Sequence, residues 1–154
     1  MVRYTKQYCR RDCGPVAVLN VLKWCGEKVS YKKHIKNIKS ISDYDPRCGV
    51  DPPYISFAIK QVGLSYMRII SPKIADIDRH LENNEALIIR FMYDAHRGHY
   101  IFCYSKSTKY YRVANYFNNS GELQTSIHRK TMVKLLKNYN PHKALVWLIR
   151  QNTV

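Results

Sequence analysis

Gln7-Tyr-Cys-Arg-Arg-Asp-Cys-Gly-Pro-Val-Ala-Val-Leu-Asn-Val-Leu-Lys-Trp24 decides the reading of this chain. A polar, loop-like run meets an apolar helical run, and Cys13 stands at the junction. Val16, Ala17, Leu19, Asn20 and Lys23, with Val18, Val21, Leu22 and Cys25, would circle a helix buried on most sides. Asp12 suits the N-cap, Pro15 the first turn, where its missing N–H costs nothing, and Gly26 the stop. Cys13 is therefore expected at a helix N-terminus, where the macrodipole and free N–H groups favour thiolate over thiol. Gln7, six residues earlier, can return its amide to the sulfur. A nucleophile, an anion site at a helix end and an extra amide donor are the ingredients of acyl transfer through an oxyanion hole. The structural alternative is a buried cysteine that merely opens a core helix.

Two later positions complete the set. His99 begins a strand candidate, His99–Tyr104, and Asn115 lies sixteen residues on, in the next strand candidate, Tyr110–Tyr116. Antiparallel pairing across a short loop brings such positions together. The expected site has Cys13 as nucleophile, His99 as its proton partner, Asn115 holding the imidazole, and Gln7 with backbone N–H groups receiving the oxyanion. Cys13 Sγ is expected beside one His99 ring nitrogen and Asn115 beside the other, with His96 as the substitute should His99 point away.

Gln7, Cys13, Gly14, Pro15 and Ala17, followed by Gly98-His99-Tyr100 and Asn115, resemble the papain-like peptidases that trim double-glycine leaders from bacteriocins. A Gly49-containing loop, a short helix and Gly63-Leu64 are similar to that family as well. The resemblance spans the whole chain and implies a papain-like α+β fold, a polypeptide substrate, and catalytic roles for Cys13, His99, Asn115 and Gln7. It departs at Asn115-Tyr116, where the family usually has Asp followed by Pro. The transporter that usually follows such domains is not matched in this chain, which puts a Gly-Gly leader substrate in doubt.

A length of 154 residues and 45% hydrophobic content are enough for one domain with its own core. No apolar run approaches a membrane-spanning length, and Met1 to Lys6 lacks the apolar segment of a signal peptide. The expectation is a soluble protein, cytoplasmic or virion-associated, with no membrane insertion. Five cysteines at irregular spacing read as free thiols in a reducing compartment. The net charge of +15 suits nucleic acid or an acidic partner. Its rival explanation is compositional: Lys, Ile, Tyr and Asn are abundant, as in proteins of AT-rich, including viral, genomes.

Helices are expected after the N-cap Ser30 through Lys39, and over Tyr54–Gln61, Ile74–Leu81 and His128–Asn138, the last capped by Ser126. Strands are expected over Ser65–Ile70, Ala86–Met92, His99–Tyr104, Tyr110–Tyr116 and Ala144–Ile149. Helices first and an antiparallel sheet after is an α+β order. Cys25 and Cys103 read as core; His34, His80, His128 and His142 read as surface. A zinc site from Cys9, Cys13, His96 and His99 lacks the paired spacing of structural sites, so neither metal nor cofactor is expected. The function read from these residues is a cysteine peptidase acting on a peptide or isopeptide bond. Its alternatives are an acyltransferase using the same triad, or a catalytically silent basic protein bound to nucleic acid.

Overall fold

The computed structural model describes residues 1–139 and 142–151. Three helices come first: α1 Cys13–Trp24, α2 Tyr31–Ile41 and α3 Pro52–Gln61. Then follow β1 Tyr66–Ile70, α4 Ile74–Glu82, β2 Ala86–Met92, β3 Gly98–Lys106, β4 Tyr110–Phe117, β5 Leu123–His128, α5 Arg129–Leu135 and β6 Leu145–Ile149. The strands form one antiparallel sheet in the order β1-β6-β2-β3-β4-β5. This is the α+β, papain-like arrangement expected. Among the described residues no helix is long and apolar enough to cross a membrane.

The central strand β2 reads Ala-Leu-Ile-Ile-Arg-Phe-Met because both of its faces are covered. Ala86 and Ile88 pack with Tyr100, Phe102 and Trp147 against α1 and α3. Leu87, Ile89 and Phe91 face the other way, onto Ile77 and Leu81 of α4 and Met132 of α5. The helix α1 lies against β3 with Val16, Val18, Leu19 and Val21 fully buried, which accounts for its nearly all-round apolar sequence. Gly26, with φ of +89°, supplies the left-handed residue that turns the chain after it.

Two expectations need correction. Leu123–His128 is a strand, with α5 starting only at Arg129, and His128 Nδ1 caps it by accepting the Lys130 N–H at 3.2 Å. The segment is polar and half exposed at the sheet edge, so its strand character comes from pairing with β4 rather than from its own pattern. His80 is buried, not solvated, and its ring bonds the equally buried Glu85, which Arg150 also holds. A buried carboxylate that bonds the ring and is paired with Arg150 explains how a histidine amid charged neighbours comes to lie inside.

The segment before α1 is strapped to it by one side chain. The amide of Asn20, fully buried in mid-helix, accepts the Thr5 N–H at 2.7 Å and donates to the Thr5 carbonyl at 2.9 Å, as a neighbouring strand would. Lys23 Nζ adds bonds to the Arg3 carbonyl and Thr5 Oγ1. Tyr4 then packs on Phe102 and Tyr104, with centroids 5.2 and 4.5 Å away. This strap delivers Gln7 to the sheet. Asn20→Ala should lower unfolding free energy in urea by about 1–3 kcal/mol and make the chain before Cys9 sensitive to limited proteolysis.

Candidate active site

The first turn of α1 abuts the start of β3. β3–β4 pairing begins only at Phe102↔Ala114, so the backbone at Tyr100 lies beyond the paired region. The Tyr100 N–H is directed at Cys13 Sγ, as are the N–H groups of Gly14 and Cys13 itself. Those last two are open donors of a helix start, and Pro15 has no N–H to add. Gly14 is required by close packing: a Cβ there would sit 3.1 Å from Ile55 Cδ1 and 3.2 Å from Val50 Cβ. Tyr100 braces the same junction by donating its hydroxyl to the Val50 carbonyl at 2.9 Å.

Burial changes the expected ionisation of the thiol. Cys13 is only 9% exposed, and loss of water raises its pKa despite the three N–H groups and Arg11, which act in the opposite sense. The helix-end argument identified real donors but underestimated desolvation. In the resting structure the sulfur is a thiol at neutral pH.

His99 is equally enclosed, with Phe91 at 5.7 Å, Tyr93 at 5.9 Å and Phe117 at 6.3 Å between centroids. Its Nε2 lies 2.7 Å from the Asn115 carbonyl oxygen. A carbonyl only accepts, so Nε2 carries the proton and Nδ1 of the neutral ring keeps its lone pair. Burial pushes the imidazole pKa down to about 4, against a smaller upward effect of that carbonyl.

Asn115 does reach His99, but through its backbone rather than the expected side chain. It sits at φ of +63°, a left-handed conformation asparagine tolerates, where the β4–β5 register shifts between Arg112 and Tyr116. This bulge directs the carbonyl at His99 and frees the carboxamide for Gln7. Asn115 Oδ1 accepts the Gln7 N–H at 2.7 Å, and its Nδ2 donates to Gln7 Oε1 at 2.9 Å. The Gln7 Nε2 donates to the Arg10 carbonyl at 3.2 Å, so its amide donor is turned into its own loop. Gln7, Asn115 and His99 are thus joined by hydrogen bonds at one end of the sheet, and Cys13 lies against the neighbouring Tyr100. His96 stays outside this cluster, its N–H bonded to Asp94 in the exposed β2–β3 turn.

Solved structures of the same shape are peptidase domains. The peptidase domain of Streptococcus ComA, a bifunctional ABC transporter, superposes with a TM-score of 0.73 over 98% of this chain and 100% of that one, at 16% identity. A double-glycine-motif protease from an AMS/PCAT transporter, solved with its leader peptide, gives 0.68 over 97% and 91%, at 11% identity. A C39-like peptidase from Bacillus anthracis gives 0.64 over 98% and 96%, at 9% identity. The fold is that of the double-glycine leader peptidase domains. No protein-family model matches the sequence, and no curated protein matches it either.

Within this peptidase fold, sequence reasoning missed the part played by Asp12. Its carboxylate is fully buried one residue before Cys13, yet it does not cap α1. It turns to α2, where it accepts the Tyr31 hydroxyl and pairs with Lys39 Nζ at 2.8 Å. The cation offsets a negative charge that would otherwise oppose a thiolate next door. An N-cap residue so close to a basic helix was the available signal. Two clefts, of about 680 and 910 Å³, flank the centre; Tyr93 and Tyr116 line the first, Asn115 and Tyr31 the second. Neither is lined by Cys13.

The depressed imidazole pKa makes stability depend on pH. The unfolded chain binds a proton at His99 near pH 6.5, the native state only near 4, so stability is complete above 6.5 and is lost as pH falls toward 4. Between pH 7 and pH 5 the loss should be about 2 kcal/mol, and His99→Gln should flatten the urea-unfolding profile across that interval.

Proposed function

We propose that this protein is a cysteine peptidase that hydrolyses a peptide bond of a polypeptide substrate, with Cys13, His99, Asn115 and Gln7 as its machinery. The observation that carries this reading is the tautomer imposed on His99. With Nε2–H tied to the Asn115 carbonyl, Nδ1 is the ring nitrogen able to accept a proton, and it belongs to the residue whose neighbour's N–H meets the sulfur.

The chemistry follows from a neutral pair. The Cys13 thiol passes its proton to His99 Nδ1 as the sulfur attacks the scissile carbonyl. The Asn115 carbonyl stabilises the imidazolium, and the open N–H groups of Cys13 and Gly14 donate to the oxyanion. Gln7 Nε2, held by a single exposed bond, is the side-chain donor that can exchange Arg10 for the oxyanion at small cost. The imidazolium protonates the leaving amine and leaves a thioester, which a water activated by the same imidazole cleaves to the acid. Asn115 fixes the tautomer by its carbonyl and the Gln7 loop by its side chain, so asparagine can stand where the resembling family usually has aspartate.

A peptidyl vinyl sulfone tests this directly. It should modify Cys13 ahead of the exposed Cys9 and Cys48, and His99→Ala should slow that modification about 100-fold or more. Modification of the exposed thiols in preference to Cys13, unaffected by His99, would sink the reading.

A further inference from the structure

Among the described residues two half-buried cations near this centre, Arg11 and Arg90, have no acidic partner, and Arg90 is the one held in the sheet. Arg90 lies in β2, paired across the sheet with Tyr100 of β3. Strand alternation puts its side chain on the face of Ile88 and Tyr100, the face against which α1 begins. Its guanidinium runs along β3 toward the first residue of that strand. A Cβ on Gly98 would lie 3.1 Å from Nη2 and 3.2 Å from Nε. The charge of the same guanidinium acts on the Tyr100 hydroxyl, which donates to the Val50 carbonyl, and the Tyr100 N–H faces Cys13 Sγ. Arg90, Tyr100 and Cys13 are therefore contiguous.

A half-buried guanidinium serving only the fold is normally pinned by a carboxylate. Half-buried Arg129 pairs with Asp78, and even the exposed Arg150 and Arg97 pair with Glu85 and Asp94; among the described residues half-buried Arg11 shares with Arg90 the lack of such a partner. Among the described residues, no Asp or Glu pairs with Arg90. Asp51, whose charge is felt at Tyr100, is exposed at the start of α3 and forms no ion pair with it. Tyr100 can occupy at most a fraction of the five N–H donors of the guanidinium. The rest form a fork suited to a carboxylate, lying over the exposed Gly98, whose missing side chain leaves room for the guanidinium.

We infer that Arg90 is a specificity determinant and that the substrate carries an acidic side chain, Glu or Asp, close to its scissile bond. This rests on the peptidase reading above and extends it to a substrate class. The net charge of +15 acts in the same direction by drawing acidic segments toward the surface before they dock. A nucleic acid phosphate is the other anion such a surface could meet. The position of Arg90 beside the candidate nucleophile, rather than on the exposed lysine face of α2, favours a group on the substrate itself.

The test uses two series of peptidyl vinyl sulfones, identical except for Glu or Gln placed in turn at each position flanking the electrophile. In the wild-type protein, the Glu probe should modify Cys13 about ten-fold faster than its Gln partner at one position, and high salt should shrink the ratio. Arg90→Gln and Arg90→Met, the latter keeping the packing of the stem, should bring that ratio to about one, and Arg90→Lys should hold an intermediate value. No Glu preference at any position, with Cys13 still modified by the Gln series, overturns the substrate assignment and leaves the peptidase reading standing. A Glu preference that survives in Arg90→Met overturns the role of Arg90. If neither series modifies Cys13 above Cys9 and Cys48, the peptidase reading fails and the substrate class falls with it.

Discussion

The structure depends on the contact between the first turn of α1 and the first residues of β3. One helix end, with its unpaired N–H groups, is pressed against a strand end that β4 has not yet engaged, and Cys13 Sγ sits between them. Gly14 permits the approach by having no side chain to meet Ile55 and Val50. Tyr100 anchors it from the sheet side through the Val50 carbonyl. Secondary structure is ordinarily satisfied within its own elements; here both elements leave donors over at the same point, and the Cys13 sulfur is what they share.

Around that contact the ionisable groups are kept neutral or paired. Burial opposes charge on both Cys13 and His99, so the resting site stores no ion pair. In the peptidase reading proposed above, proton transfer from sulfur to imidazole would be coupled to attack, when a developing oxyanion gives the N–H groups a charge to stabilise. The one permanent charge held inside the helical layer at this junction, Asp12, is tied to Tyr31 and Lys39. That pairing makes the basic helix α2 a support for the site as well as a solvated surface.

The third position shows how backbone geometry can replace side-chain chemistry. A bulge in β4 turns Asn115 into the left-handed region, and one residue then performs two tasks: its carbonyl orients His99, and its carboxamide holds the loop carrying Gln7. An aspartate could not donate to Gln7 Oε1 as the asparagine amide does.

The sequence by itself determined the order of the elements other than β5, the buried α1 and the antiparallel arrangement, because helical and strand periodicity and the stretch from Gln7 to Ala17 are local signals. It could not yield β5, whose half-exposed polar residues become a strand only by pairing with β4. Nor did it reveal that His80 is buried, since Glu85 and Arg150 come to it from another turn and from the last strand's end. The ionisation of Cys13, the use of the Asn115 carbonyl, the clamp on Gln7 and the acid-free position of Arg90 were decided by tertiary structure alone. Each depends on desolvation or on backbone direction at a point where distant segments meet, and neither quantity is written in the order of the residues.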